Sequence, residues 1–168
     1  MRYRIILSYD GSSFCGWQIQ NQAETVQECL QNALSTLLKE NIAVTGAGRT
    51  DSKVNAINYV AHFETSNPDI DASAVGYKIN AILPAGIKVH SVERCEPDFH
   101  ARFDATQREY KYFLHRRRDP FMREYSYLYT FPLDVGKMNR AAQALLGKHD
   151  FSCFEKVGSD NKTSICTV

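Results

Sequence analysis

The chain has 168 residues, enough for one ordinary domain or two small ones, and its 43% hydrophobic content excludes a disordered protein. The formal net charge of +1 excludes a chain that binds nucleic acid through overall charge, so any such surface has to be a local basic patch. No apolar run is long enough for a membrane span or a signal peptide, and we interpret the protein as cytoplasmic.

Cysteine and histidine spacing argues against disulfides and metal sites. The five cysteines are odd in number, widely spaced and never form a Cys-x-x-Cys pair, which predicts buried thiols in a reducing compartment. No histidine falls at metal-ligand spacing with a cysteine, so we expect no metal. The stretch GAGRTDSK lacks the spacing of a phosphate-binding loop, and no dinucleotide fingerprint follows a strand, so we expect no cofactor.

The first half of the chain alternates between strand-like and helix-like patterns. Tyr3 to Tyr9 is rich in β-branched and aromatic residues, which predicts a strand. Thr25 and Glu28 form a capping box, and apolar residues then repeat at helical spacing to Lys39. The other predicted elements are a strand at Ile42 to Thr45, a strand at Ile57 to Thr65, a helix at Asp71 to Leu83 and a strand at Ile87 to Cys95.

This order of elements predicts the fold class. Strand, helix, strand, strand, helix, strand is the βαββαβ order of a ferredoxin-like unit, so we predict an α+β protein with one complete unit over residues 1–100. Residues 101–168 begin the same order again and predict an incomplete second unit. Its predicted elements are strands at Thr106 to Arg116 and Ser126 to Phe131, a helix at Asp134 to Leu146, and a strand at Lys162 to Val168.

The segment GAGRTDSKVNA, Gly46 to Ala56, places an arginine and an aspartate one residue apart in a glycine-rich corner. In extended backbone, Arg49 and Asp51 point to the same side. One interpretation is ordinary turn chemistry, with Arg49 pairing with a nearby surface acid. The other is that Gly46 and Gly48 let a ligand approach the backbone while Arg49 and Asp51 contact it. The residues alone leave both open.

Three stretches of the chain carry a family resemblance. They are YDGSSFCGWQIQ at Tyr9 to Gln20, the GAGRTDSKVNA corner, and the region from NAILPAGIKV to FHARFDATQREYKYFL at Asn80 to Leu114. In that order they resemble the pseudouridine synthases that act on the tRNA anticodon arm. The resemblance runs along the whole chain but lacks the C-terminal third of the family, which supplies part of the active-site cleft.

The resemblance implies a function and roles for particular residues. It implies isomerisation of uridine to pseudouridine in tRNA, at nucleotides 38 to 40, by a homodimer that needs no cofactor. Asp51 would be the catalytic residue, acting on the ribose or the base, and Arg49 would pair with it and support the flipped nucleotide. Tyr110 would stack on the uracil and assist proton transfer, although a tyrosine in a strand is also a common packing residue.

Two positions depart from the family pattern. Lys53 stands where members usually carry glycine, and Asn55 where they carry histidine. Lys53 removes backbone freedom if a positive φ is required there, and Asn55 cannot transfer protons. We therefore keep three hypotheses: an active synthase in which Lys53 adds a phosphate contact, an RNA-binding relative with impaired catalysis, and a structural ferredoxin-like module.

A basic and aromatic stretch offers a candidate RNA surface. Arginines alternate with aromatic residues between residues 102 and 123, a mixture that suits phosphates and unstacked bases. The expected tRNA contacts are Arg102, Arg108, Arg116, Arg117 and Arg118. A solvated charge run beside an aromatic core strand is the alternative. Trp17 and Gln18 are either structural or lie at the edge of the cleft.

Overall fold

The computed structural model describes residues 1–155 and 163–168. The chain divides into two compact units, Met1–Tyr112 and Phe113–Val168, which are taken one at a time here. In the described part of the chain, no helix is both long and apolar enough to cross a membrane.

The first unit is a four-stranded antiparallel sheet with two helices. The sheet has the order β2-β3-β1-β4, so β1 lies between β3 and β4. Every element predicted for this part of the chain is found, and the largest shift is at the end of α2, which ends at Ile79 instead of Leu83. The elements are β1 Arg2–Tyr9, α1 Val26–Leu38, β2 Val44–Gly46, β3 Ala56–Glu64, α2 Ala72–Ile79 and β4 Ile87–Arg94.

The core of this unit is built on alternation in β1. Tyr3, Ile5, Leu7 and Tyr9 are buried, and the residues between them are only partly buried. The buried side of α1 belongs to the same apolar cluster, with Val26, Leu30, Ala33 and Leu34 in it. Burying each such large apolar side chain stabilises the fold by roughly 1.5–3 kcal/mol. The α1 helix begins as predicted, because Thr25 Oγ1 accepts a hydrogen bond from Glu28 N at 3.4 Å.

Asn80 explains why α2 ends early. Its side-chain amide donates to the carbonyls of Gly76, at 2.8 Å, and Val89, at 3.0 Å, and its Oδ1 accepts from Val89 N at 2.8 Å. These bonds satisfy a carbonyl of the last helical turn and tie it to β4. The helix therefore ends just before Asn80, whose side chain also bonds β4 and which lies four residues before Pro84.

Residues 99–104 are anchored to the sheet by two side chains. Arg2 Nη1 donates to the carbonyl of Phe99 at 2.7 Å, and Ala101 N donates to Nδ1 of buried His62 at 3.2 Å. The ring of His100 lies 4.9 Å from that of His62. Because Nδ1 of His62 accepts a hydrogen bond, its neutral form is required, and burial lowers the pKa of this imidazole, with the neighbouring His100 and Arg2 acting in the same direction.

The second unit contains short elements and one helix. The strands Leu114–His115 (β5) and Tyr127–Leu128 (β6) pair in parallel, and Lys148–Asp150 (β7) pairs antiparallel with Ile165–Thr167 (β8). The helix α3 spans Val135–Ala142, is followed by a 3-10 turn at Gln143–Leu145, and ends before Gly147, which has φ +101°. No residue of α3 is buried in the described chain.

Two predicted strands of the second half are largely wrong. Of Thr106 to Arg116 only β5 forms, and of Ser126 to Phe131 only β6. Strand propensity measures how well a residue fits a half-buried sheet surface, and the remaining residues of these segments have no ladder partner in the described chain. The predicted helix at Asp134 to Leu146 is present but shorter. In the last predicted strand, Lys162 lies outside the described residues, and β8 accounts for the part from Ile165.

The cysteines are all free, and none of them is buried. Cys29 and Cys95 are partly buried, whereas Cys15, Cys153 and Cys166 are exposed. The prediction of buried thiols is therefore wrong. Cys15 lies in the loop after β1, Cys153 in a 3-10 turn and Cys166 in the short strand β8, all three outside the core of the first unit.

The burial of His62 predicts a pH dependence of stability. Because the folded state lowers this pKa below its ordinary value of 6.5, the unfolded chain binds more protons just below that pH. The free energy of unfolding should therefore fall as the pH decreases through 6.5. His62→Gln should flatten that decrease in urea titrations at a series of pH values. His90→Gln, an exposed histidine on β4, serves as the control, and an equal effect of both variants would contradict the assignment.

Candidate functional site

The corner quoted above forms the loop between β2 and β3, and it rests on the loop that follows β1. The carbonyl of Thr50 accepts a hydrogen bond from Trp17 N at 3.1 Å, and the carbonyl of Phe14 accepts one from Lys53 N at 3.4 Å. Gly16, with φ +84°, has no room for a side chain, because a Cβ there would lie 2.4 Å from the carbonyl oxygen of Thr50. The two loops are therefore held together backbone to backbone.

Asn55 completes this contact. Its Oδ1 accepts a hydrogen bond from Gly11 N at 2.7 Å, while a Cβ on Gly11 would lie 2.2 Å from the carbonyl oxygen of Val54. Asn55, which stands where the family usually carries histidine, thus accepts a hydrogen bond from a backbone N–H where the two loops meet. Its role in this chain is structural and does not require proton transfer.

Gly46 serves packing, and the expectation that it admits a ligand to the backbone is wrong. A Cβ at Gly46 would lie 2.2 Å from Tyr59 Oη and 2.6 Å from the ring of Trp17. Trp17 is 2% exposed, and its ring centroid lies 4.4 Å from that of Tyr59, so Trp17 is structural. Gln18 is exposed. Gly48 is different, because the nearest atom to a Cβ there is Nε of Arg108, at 3.5 Å.

Two tyrosine hydroxyls bond the residues on either side of Arg49. Tyr59 Oη accepts from Gly48 N at 3.2 Å and donates to the carbonyl of Gly48. Tyr9 Oη lies 2.9 Å from Thr50 Oγ1. Burial raises the pKa of Tyr9 to about 12 and raises that of Tyr59 further, so both hydroxyls stay protonated at physiological pH.

Arg49 and Asp51 are both exposed residues on this supported loop. The backbone carbonyl of Asp51 accepts from Val54 N at 3.2 Å, which closes a turn immediately after it. The pairing of Arg49 with Asp51 stays a prediction. What the structure provides is an accessible carboxylate and guanidinium on a loop that is fixed at both ends.

Lys53 adopts the backbone conformation that favours glycine. Its φ is +67°, in the left-handed region, where a side chain costs about 1 kcal/mol. The loss of backbone freedom predicted from the replacement of a glycine is therefore real, and the chain nevertheless forms the turn. Lys53 is exposed, and its backbone N–H is used in the loop contact.

Arg108 is brought to the corner, and Tyr110 lies near it. Arg108 Nη2 donates to the carbonyls of Ala47, at 2.7 Å, and Arg102, at 3.1 Å. Tyr110 is 68% exposed, and its hydroxyl is close enough to contribute to the raised pKa of Tyr59. Arg108 is thus bonded to the loop that carries Arg49 and Asp51, and Arg102 is joined to it through its carbonyl.

The other predicted phosphate contacts lie in the second unit. Arg116, Arg117 and Arg118 directly follow β5 and are exposed. They form a charged segment beside several exposed aromatic side chains. Those above half exposure include Phe113 and Phe121, at 61% and 86%. Within the residues that the structure describes, no group of three or more histidine, cysteine or acidic side chains is arranged to hold a metal ion.

The roles of Tyr9, Thr50 and Tyr59 were not predicted from the sequence. These residues act through hydroxyl contacts across strand ends, and no local spacing marks such contacts. A weak signal existed in Gly46, since a glycine at the end of a strand often marks a close approach of another group.

Several known proteins are similar in sequence to this chain. A family model described as tRNA pseudouridine synthase matches residues 5–104. A protein of Bacteroides fragilis named tRNA pseudouridine synthase A is 47% identical over 99% of this chain, which spans 66% of that protein. A protein of the same name from Bacteroides thetaiotaomicron is also 47% identical over 99% of the chain, which spans 62% of it. One from Thermoanaerobacter is 41% identical over 98% of the chain, which spans 68% of it.

The packing around Gly46 predicts a contrast between two neighbouring glycines. Gly46→Ala should lower the free energy of unfolding by about 1–3 kcal/mol, because the methyl group overlaps Tyr59 and Trp17. Gly48→Ala should change it by about 0.5 kcal/mol or less, because its methyl group meets only the flexible Arg108 side chain. Urea denaturation of both variants measures the difference, and equal effects would contradict the packing role of Gly46.

The left-handed backbone at Lys53 predicts the response to glycine. Lys53→Gly should leave the free energy of unfolding unchanged or raise it by up to about 1 kcal/mol, since strain is relieved while the unfolded chain gains freedom. Lys88→Gly, in strand β4, should lower it by about 1 kcal/mol. Thermal and urea unfolding compare the two. A loss at Lys53 as large as that at Lys88 would show that the side chain itself stabilises the loop.

Proposed function

The chain belongs to the tRNA pseudouridine synthase family, and on that basis we propose that it isomerises uridine to pseudouridine in tRNA. The substrate is the anticodon arm, with nucleotides 38 to 40 as the targets that the sequence resemblance implies. The observation that carries the proposal is an exposed carboxylate, Asp51, on a loop fixed by backbone contacts at Thr50 and Lys53. The reaction is the one for which the relatives are named, and the Asp51 carboxylate on this loop is a group that can carry it out.

Asp51 is the catalytic residue in this proposal. Pseudouridine formation breaks the glycosidic bond, turns the uracil and rejoins it to the ribose through carbon, with no change of oxidation state and no cofactor. Attack on the ribose, attack on the base and removal of a ribose proton all require an ionised carboxylate at the uridine. The exposure of Asp51 suits a substrate that enters from outside the chain as a flipped nucleotide.

The residues around Asp51 bind and orient that nucleotide. Arg49 interacts with Asp51 and supports the RNA stack from which the uridine has left. Tyr110, with its exposed ring, stacks on the uracil and assists proton transfer at the base. Arg108 uses one nitrogen to hold the carbonyls of Ala47 and Arg102, and its other N–H groups bind phosphate.

Further basic residues contact the tRNA backbone. They add affinity without reading sequence, because each neutralises a phosphate. Lys53, at the turn after Asp51, and Arg102 belong to the first unit, whereas the Arg116, Arg117 and Arg118 segment belongs to the second. The exposure of all five supports this role.

The family membership also supports a finer description of the architecture. Residues 1–100 form a ferredoxin-like unit, supported by the βαββαβ order and by the sheet order β2-β3-β1-β4. The second unit, predicted from the sequence over residues 101–168 and compact in the structure from Phe113, begins the same order of elements. The working protein is a cytoplasmic homodimer, with the tRNA lying across both subunits.

Removal of the Asp51 carboxylate tests the proposal. Pseudouridine content is measured in an unmodified tRNA transcript after incubation with the full-length gene product. Asp51→Ala should lower turnover by on the order of a thousandfold or more, while tRNA affinity in gel shifts stays within about threefold. Asp69→Ala, another exposed aspartate, should be as active as wild type. Wild-type protein that binds tRNA without forming product would instead favour the impaired RNA-binding relative, and protein that ignores tRNA would favour the structural module.

A further inference from the structure

The hydroxyls of two tyrosines, the buried Tyr9 and the partly buried Tyr59, bond the residues that flank Arg49. Tyr59 bonds both the N–H and the carbonyl of Gly48, and Tyr9 bonds the side chain of Thr50. The two tyrosines lie on the neighbouring strands β3 and β1, with ring centroids 5.6 Å apart. The chain is thus bonded to the sheet through the backbone of Gly48, just before Arg49, and through the side chain of Thr50, just after it.

The contact at Gly48 lies where the loop would otherwise be least defined. Glycine has the widest range of backbone conformations, so a glycine directly before Arg49 would let the arginine and Asp51 take many positions. One hydroxyl that bonds both backbone groups of that glycine fixes the two peptide planes on either side of its Cα. The bonding pattern therefore restricts the orientation of the segment that begins at Arg49.

The hydroxyl that makes this contact is itself rigid. The ring of Tyr59 packs against Trp17, 2% exposed, and Gly46 has no side chain at the position where Tyr59 Oη lies. Burial keeps Tyr59 protonated, because it raises the pKa of the phenol, so its O–H remains a donor across the pH range in which the fold is stable. A fixed donor on a packed ring is suited to hold a loop in one geometry.

We propose that Tyr59, supported by Tyr9, is a positioning residue that holds Gly48 and Thr50 so that Arg49 and Asp51 meet the uridine in one geometry. The catalytic part of this inference rests on the function proposed above. Tyr59 acts through the loop backbone, since its hydroxyl is occupied by Gly48. Misplacement of reacting groups by about 1 Å can lower a rate by about a hundredfold, so loss of this contact should affect turnover and not binding.

Tyr59→Phe in the full-length gene product removes the hydroxyl and keeps the ring. Hydrogen exchange followed by NMR should show the Gly48 amide exchanging at least about tenfold faster, with the Ala61 amide in strand β3 unchanged. The kcat for pseudouridine formation should fall at least about tenfold, while the KM for tRNA stays within about twofold. Tyr9→Phe should lower kcat in the same way. Tyr77→Phe, on α2 and 84% exposed, is the matched control and should behave as wild type.

The outcomes separate this inference from the proposed function. Unchanged exchange at Gly48, unchanged kcat, or a rise in KM alone would overturn the positioning role, even in an active enzyme. If wild type and Tyr77→Phe form no pseudouridine, the proposed function fails, and exchange at Gly48 then decides by itself whether Tyr59 holds the loop. If Tyr59→Phe does not fold, as judged by circular dichroism, the kcat of Tyr9→Phe decides, and a wild-type value overturns the inference.

Discussion

The backbone contact between the loops at residues 10–17 and 47–55 is the constraint on which the candidate site depends. It consists of two backbone hydrogen bonds, two side-chain hydrogen bonds made by Ser52 and Asn55, and two glycines that leave no space between the chains. An exposed loop of this length would sample many conformations if it were attached only at its ends. Docked on the loop after β1, it can carry an exposed carboxylate and guanidinium in a defined place. Polar contacts with the loop after β1 set the position of this loop, whereas the charged side chains of Arg49 and Asp51 remain exposed to solvent.

The structure explains in physical terms the two departures from the family pattern, Lys53 and Asn55. Asn55 accepts a hydrogen bond from the backbone N–H of Gly11, which the loop contact would otherwise leave without an acceptor. Lys53 occupies a left-handed conformation, so the chain carries a modest strain energy at a position where glycine would carry none. Neither change removes Arg49 or Asp51 from the surface, and both are compatible with an intact loop. Lys53 and Asn55 therefore favour impaired catalysis less strongly in the folded chain than in the sequence alone.

Prediction from sequence succeeded where one residue pattern matched one environment. The alternation of β1 and the helical spacing of α1 reflect the side of each element that faces the core, and both were recognised. It failed for Thr106 to Arg116, because a strand-like composition does not provide a neighbouring strand. Ligand access at Gly46 was one of two interpretations left open, and the sequence could not exclude it because it does not show that Tyr59 occupies the space beside this glycine. Family motifs located Asp51. The tyrosine hydroxyls that support its loop, those of Tyr9 and Tyr59, lie outside the GRTD motif, and no distinctive spacing marks them.

The position of β1 in the middle of the sheet has a consequence for how the chain folds during synthesis. β1 is made first, yet its two neighbours are β3, which begins at Ala56, and β4, which begins at Ile87. The edge of β1 that pairs with β3 therefore stays unpaired until residue 64 has left the ribosome, and the edge that pairs with β4 stays unpaired until residue 94 has done so. Contacts this distant in sequence form slowly, and until then the nascent chain exposes a strand edge that can pair with other chains. The first unit is thus expected to fold as a whole only after its last strand emerges, and to need protection by chaperones until then.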